Sequence, residues 1–239
     1  MTRLHAVPPA TMHLVLMLVL TFTTGIVDAV GYLGLDRVFT GNMTGNVVVL
    51  GMALTGADDL PVVGPVLALL GFMGGAALGG RVLKRAGEPW SRVTGVLFGT
   101  VAVLCIGLAV VLLVVGEAPD PSVGLPVTTV LGLAMGLQAA TARFIAVKDV
   151  TTVVVTSTIT GLAADSLLGS GKAKASGGGS GRRLWAVVAI LAGASVGAAL
   201  LRWHTGAGLL LAGVLIALVT VVGHLHADGR RAAGEPVTA

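Results

Sequence analysis

Residues 11–33 read TMHLVLMLVLTFTTGIVDAVGYL, and this run decides the solvent in which the chain folds. Asp28 is its only Asp, Glu, Lys or Arg, and the run is long enough to cross the roughly 30 Å hydrocarbon core of a bilayer as a helix. Arg3 gives the basic start typical of a signal peptide, but no A-x-A cleavage pattern follows the run. We therefore predict a retained first transmembrane span.

The rest of the chain has the same apolar character. Hydrophobic residues make up 55% of the 239 residues and charged residues only 11%, whereas a soluble domain has about 25% charged residues. Five further runs are long and apolar enough to span a membrane: Pro61–Gly80, Val93–Val115, Val123–Ala142, Leu184–Leu201 and Gly206–Val222. The sequence predicts an all-α polytopic membrane protein with about six transmembrane helices, in contact with the lipid bilayer.

Basic residues mark one side of this membrane. They gather in the turn after the second run, in the linker before the fifth run and in the C-terminal tail: Arg81, Lys84, Arg85, Arg92, Lys172, Lys174, Arg182, Arg183, Arg230 and Arg231. The positive-inside rule places these segments, and hence both termini, in the cytoplasm. We expect the protein to lie in the inner or plasma membrane of the cell. The net charge of +4 is therefore a topology signal, and we expect no nucleic acid partner.

Two shorter apolar stretches do not fit the alternation of sides. Val38–Leu54 is interrupted by GNMTGN, and Val150–Leu168 contains TTVVVTSTITG, which is rich in β-branched and hydroxyl residues. By alternation, the first stretch lies between the outer end of the first span and the turn with Asp58 and Asp59, which is also outside. The second stretch lies between Arg143 with Lys148 and the basic linker, all of which are assigned to the cytoplasm. We therefore predict that each is a short re-entrant half-helix, with eight ordinary spans as the alternative.

Three spans and one half-helix per unit make the second unit inverted relative to the first. We expect a single integral membrane domain over 1–239, with one repeat at about 11–116 and the other at about 123–224. The polar, glycine-rich segment at 170–183 is predicted to be a flexible linker, and 227–239 a disordered tail.

Three segments of the chain carry a family resemblance. They are GIVDAVGYLGLDRVFTGNMTGNVVVLG at Gly25–Gly51, GLQAATAR at Gly136–Arg143 and TTVVVTSTITG at Thr151–Gly161. Together they resemble the YoaK-like family, bacterial inner-membrane proteins with about six spans that form a domain of unknown function. The resemblance covers nearly the whole chain, and its most specific part is the Asp-Ala … Asn-Met-Thr-Gly-Asn pattern. It implies location and topology but no established activity.

The paired Thr-Gly dipeptides are the first candidate site. Thr44-Gly45 and Thr160-Gly161 lie in the two odd stretches, where a threonine can cap a half-helix and a glycine permits a tight turn and close approach of a ligand. Half-helices inserted from opposite faces would direct free N–H groups at each other near the membrane midplane. Such a site suits an anion or a polar solute, and its layout is similar to that of uracil-permease-type and sulfate-permease-type transporters.

Polar residues near the two stretches extend this candidate site. Asp28 lies within the first span and either couples protons or contacts solute, or makes a structural hydrogen bond to the re-entrant backbone. Gln138 holds the matching position before the second stretch. Asn42 and Asn46 offer amide donors to a solute, or serve as caps. Asp165, by contrast, is expected to be a solvated charge.

Enzyme chemistry is not expected. Gly193-Ala-Ser-Val-Gly197 matches G-x-S-x-G, but that pattern needs a strand-turn-helix context and an acid–His pair. The five histidines have no Cys or carboxylate partners at metal-binding spacing, so we predict no catalytic residues, no metal site and no cofactor.

The leading hypothesis is a secondary transporter of a small anionic or polar solute, bound between the two facing half-helices. A channel, or a structural or assembly partner of another membrane complex, is the alternative. Glycine stripes at Gly71, Gly75 and Gly79 and at Gly193 and Gly197 predict helix-packing faces. These faces serve packing either within the chain or between copies in a homo-oligomer.

Overall fold

The computed structural model describes residues 7–116, 119–145, 147, 155–165 and 179–235. In this part of the chain the helices are α1 (Pro9–Gly34), α2 (Met43–Ala53), α3 (Val63–Leu83), α4 (Arg92–Val115), α5 (Pro121–Ile145), α6 (Val155–Ala164), α7 (Gly179–Leu201) and α8 (Thr205–Ala232). A single 3-10 turn at Ala57–Asp59 follows α2. All but α2 and α6 are long and apolar enough to cross a membrane, which confirms the predicted all-α fold with six spans.

Local sequence signals account for where several helices begin. Pro9 opens α1 at a position where the missing proline N–H is not needed. At the start of α4, Ser91 and Thr94 form a capping box in which each side chain accepts the other residue's backbone N–H. The His204 side chain accepts the Gly206 N–H at the start of α8. Each cap satisfies N–H groups that have no partner within the helix.

Two helices extend beyond the predicted spans. α7 begins at Gly179, so the expectation of a flexible linker is wrong for residues 179–183, and residues 170–178 lie outside the described residues. α8 continues to Ala232, so the predicted disordered tail is wrong for residues 227–232. Side chains hold both extensions: Arg183 pairs with Asp165 at 2.7 Å, and Arg231 pairs with Glu88 at 2.9 Å. Asp165 is therefore not the solvated charge expected from the sequence.

The long helices pack in crossed pairs between the two halves of the chain. α3 packs along α5, α1 along α7, and α4 along α8. α1 also contacts α8, as α5 contacts α4. The short helices lie on the periphery, α2 against α3 and α6 against α7. The first and last four helices thus hold each other together.

Glycines let the paired backbones approach closely. A Cβ at Gly75 would overlap the Leu133 carbonyl oxygen on α5, and a Cβ at Gly193 would overlap the Phe22 carbonyl oxygen on α1. Gly71 and Gly197 meet the same two partner helices. The predicted glycine faces are therefore packing faces within the chain, and they are not free for the homo-oligomer that was the other expectation.

The chain doubles back beside α1 before α2 begins. The Val38 N–H donates to the Gly31 carbonyl oxygen at 3.3 Å, so the segment after α1 runs back along its last turns. α2 then returns, and Arg37 before it pairs with Asp58 after it at 3.3 Å. α2 has 11 residues and α6 has 10, about 16 Å of helix against a hydrocarbon core of roughly 30 Å. The helix α2 and the described part of α6 are therefore each shorter than a membrane span.

Candidate functional site

The Asp28 side chain is bound by the backbone that precedes α2. Its Oδ1 atom accepts the N–H groups of three consecutive residues, Thr40 at 3.1 Å, Gly41 at 2.7 Å and Asn42 at 3.3 Å. Three adjacent N–H groups around one oxygen form a nest that suits a negatively charged acceptor. The structural hydrogen bond to the backbone of the first short stretch, one of the roles left open for Asp28, is therefore present.

The two asparagines complete this arrangement as structural groups. Asn42 is the N-cap of α2, and its side-chain oxygen accepts the Gly45 N–H at 3.2 Å. Asn46 is buried and binds both backbone groups of Phe39, accepting its N–H at 2.8 Å and donating to its carbonyl oxygen. Asp28 and Asn46 thus fix the backbone between α1 and α2.

These contacts correct the predicted role of the Thr-Gly pair. Thr44 lies in the first turn of α2 and does not cap it, because Asn42 does. Gly45 is helical, and its lack of a side chain admits the Phe39 ring, which a Cβ would meet at 2.7 Å. The hypothesis needed free N–H groups at the start of the half-helix, but Asn42 accepts the Gly45 N–H, and the Asp28 carboxylate accepts those of residues 40–42 just before α2.

A cavity of about 410 Å³ opens beside this backbone. Four helices line it: α1 through Asp28, α2 through Thr44 and Gly45, the start of α6 through Val155 and Thr156, and α7 through Ile190. Asn42 borders it as well. The first turn of α2 and the first described residues of α6 therefore face one cavity.

Thr160 and Gly161 lie away from the cavity. α6 begins at Val155, so they fall more than one helical turn beyond the end that meets the cavity. The Thr160 hydroxyl donates to the Thr156 carbonyl oxygen at 2.9 Å, and Gly161 lies against the Arg183 guanidinium. In the described structure Thr156, and not Thr160, borders the cavity. Gly161 makes room for the Arg183 side chain and not for a ligand.

Gln138 reaches the back of the site from α5. Its side chain is buried, and Nε2 donates to the Thr24 hydroxyl at 3.1 Å. The Oε1 atom of Gln138 is buried without a hydrogen-bond partner among the described residues. Gln138 does not line the cavity, but Thr24 does. Gln138 is therefore linked to the site only through the Thr24 hydroxyl among the contacts of the described residues.

The sequence reading missed the aromatic wall of the cavity. Tyr32 and Phe39 stack with ring centroids 4.7 Å apart, and both line the cavity next to Asp28. Tyr32 is the only tyrosine in a chain with 4% aromatic residues, and this rarity was the one sequence feature that could have pointed to the aromatic wall. Thr24 and Thr156 carried none, because threonines are frequent in these helices.

The charge of the site is negative. Asp28 is the only Asp, Glu, Lys, Arg or His among the described residues that line the cavity. A lone carboxylate attracts cations and hydrogen-bond donors and repels anions. Among the described residues, no three His, Cys, Asp or Glu side chains group as ligands for a metal ion.

Comparison with known proteins identifies relatives without an assigned activity. A family model described as "Protein of unknown function (DUF1275)" matches residues 16–222. The chain is 30% identical over 151 residues to the UPF0700 transmembrane protein YoaK of Bacillus subtilis (strain 168), a match over 63% of this chain and 65% of that protein. The chain thus spans less than two thirds of that relative. No solved structure matches it.

The family match spans all or part of each of the six long helices and every residue that lines the first cavity, and the relative is likewise a transmembrane protein. The resemblance drawn from the Asp-Ala … Asn-Met-Thr-Gly-Asn pattern is thereby confirmed. The chain is a multi-pass membrane protein that belongs to the DUF1275 family of unknown function.

Proposed function

We propose that this protein is a secondary transporter that binds a small polar solute in the cavity beside Asp28. The proposal rests on one observation: a carboxylate on a long apolar helix borders a cavity of about 410 Å³. An acidic side chain near the centre of a span costs roughly 2.5–3.5 kcal/mol on insertion scales, and such residues mark solute and proton pathways.

The broken helices support transport over a purely structural role. Transporter sites form where discontinuous helices end inside the membrane, because their terminal backbone groups line a cavity. α2 and the described part of α6 are short, and the first turn of α2 and the first described residues of α6 border the same cavity. We infer that both are re-entrant half-helices. The proposed function is non-enzymatic.

We further infer that helices α1–α4 and α5–α8 are inverted repeats. Their contacts are reciprocal, since α3 packs on α5 as α7 packs on α1, and α2 packs on α3 as α6 packs on α7. Reciprocal contacts of this kind are expected of two units related by a two-fold axis. In this proposal the basic turn around Arg85 and the end of α8 face the cytoplasm of an inner-membrane protein, and the Arg37–Asp58 pair faces outside.

The solute of this proposal is polar, and neutral or cationic. The anionic solute of the sequence-based hypothesis needed free N–H groups at the start of the half-helices, but Asn42 holds that of Gly45 and Asp28 holds those of residues 40–42. The remaining polar lining consists of hydroxyl and amide groups such as Thr44, Thr156 and Asn42. These groups suit hydrogen bonding to an uncharged or positively charged molecule.

Reconstitution tests the proposal. The protein is placed in proteoliposomes on a solid-supported membrane, and currents are recorded with panels of amines, amino acids, polyols and carboxylates, with and without a proton gradient. We expect saturable, gradient-dependent uptake of an amine or polyol that Asp28→Asn reduces at least tenfold. Flux that does not saturate would indicate a channel. No flux with any panel member, together with no effect of Asp28→Asn on solute binding, rejects transport.

A further inference from the structure

A second cavity adjoins the first beside the aromatic pair. It measures about 380 Å³ and shares Asp28, Tyr32 and Phe39 with the first cavity. Its remaining walls come from the end of α1 and from α7. The two cavities therefore meet at one carboxylate and one aromatic stack.

The walls of the second cavity are apolar. They include Leu33, Leu191, Ala194 and Ala198, and the Ser195 hydroxyl donates to the Leu191 carbonyl oxygen of its own helix. Leu33 and Leu191 are 63% and 66% exposed, so this cavity opens on an apolar flank of the helix bundle. In a membrane protein that flank faces lipid.

The three backbone N–H groups of residues 40–42 occupy one of the two carboxylate oxygens of Asp28. Oδ1 accepts the three N–H groups of residues 40–42, and Oδ2 accepts none of them. A cation near Oδ2 would also lie close to Tyr32 and Phe39, whose ring faces attract cations. Positive charge is thus favoured at the point where the polar cavity and the apolar cavity join.

We propose that the solute is a freely diffusing amphipathic amine. Its ammonium group lies at Asp28, and its alkyl or aryl body lies in the second cavity between α1 and α7. This inference rests on the proposed transport function and adds the substrate class. Charge complementarity selects the ammonium, and the apolar walls select the hydrocarbon body.

Alkylammonium ions of increasing length test this assignment. The full chain is placed in phosphatidylcholine nanodiscs, and apparent dissociation constants for methylammonium to hexylammonium are derived from shifts of the melting temperature. We expect binding to tighten about threefold to fourfold per added methylene group beyond ethyl, as for hydrocarbon leaving water. Asp28→Asn, which keeps an oxygen for the three N–H groups, should weaken every member of the series at least tenfold.

Filling the second cavity isolates its contribution. Ala198→Phe should abolish the dependence of binding on chain length, whereas Ala199→Phe, at an exposed neighbour outside the cavity, should keep it. Because partition of the probes into lipid is common to both variants, the difference between them reports the cavity. Ser195→Phe fills the cavity from its exposed side and replaces Ala198→Phe should that variant fail to fold.

The outcomes separate this inference from the function on which it rests. If Ala198→Phe and Ser195→Phe keep the full chain-length dependence, the apolar cavity is not the site and the inference fails. If only hydrophilic solutes bind, in an Asp28-dependent way, the inference fails and transport stands. If replacing phosphatidylcholine by phosphatidylethanolamine suppresses alkylammonium binding, a lipid is the occupant and the inference is overturned. If no solute binds in an Asp28-dependent way, both are rejected.

Discussion

The Asp28 carboxylate and the Gly41 backbone N–H are joined by a 2.7 Å hydrogen bond across 13 residues of chain. This bond ties the first long helix to the backbone that starts the first short one. The same carboxylate borders both cavities. One side chain therefore organises the break in the helical structure and supplies the charge of the proposed site.

Asp28 should have separable effects on stability and on binding. Asp28→Ala leaves the N–H groups of Thr40, Gly41 and Asn42 without their acceptor, and we expect the free energy of unfolding to fall by roughly 2–4 kcal/mol. Asp28→Asn keeps an acceptor oxygen and should lose less than half as much. Equilibrium unfolding in mixed micelles with increasing SDS measures both. Equal losses for the two variants would contradict the nest.

The same substitution at two asparagines tests how the backbone between α1 and α2 is held in place. Asn46→Asp removes the donor to the Phe39 carbonyl oxygen and buries a charge, so we expect a loss of about 2–3 kcal/mol. Asn42→Asp should cost less than about 0.5 kcal/mol, because aspartate caps helices as well as asparagine does. Melting temperatures of the two purified variants decide the matter, and a reversed order would refute the assigned roles.

The long helices were predictable because membrane thickness acts on each run separately. Any stretch of about 20 apolar residues meets that requirement whatever lies around it. The partner of Asp28 was not predictable, since its contact with residues 40–42 exists only once the chain has folded back. The match between Thr44-Gly45 and Thr160-Gly161 did not identify the cavity lining on α6. It compared residue types without information on which residues of each helix meet the cavity. α6 begins at Val155, so Thr156 meets the cavity and Thr160 does not.

The glycine packing predicts a contrast between two adjacent positions on α3. Gly75→Ala puts a methyl group into the Leu133 backbone, which cannot move without separating α3 from α5, so we expect a loss of about 2–3 kcal/mol. Gly74 has open space around it, and Gly74→Ala should be neutral or stabilising by up to about 1 kcal/mol through helix propensity. Unfolding in SDS gives both values. Similar losses at the two positions would mean that α3 and α5 do not meet at Gly75.

The sidedness of the segments flanking α2 tests the half-helix geometry. The only cysteine of the chain is the buried Cys105, so a Cys105→Ala background permits labelling of single introduced cysteines. We expect Arg37→Cys and Asp58→Cys to react with a membrane-impermeant maleimide added outside intact cells, since the two residues pair at 3.3 Å. Loss of that exposed ion pair should cost at most about 1 kcal/mol and leave the fold intact.

Controls for this labelling lie at the other end of the bundle. Glu88 pairs with Arg231 near the end of α8, and Glu235 follows that helix, so Glu88→Cys and Glu235→Cys should react only after the membrane is opened. Labelling of Arg37→Cys and Asp58→Cys from opposite sides would mean that the chain between them crosses the bilayer completely. α2 could not then begin at a cavity within the membrane, and the transport proposal would lose its geometric basis.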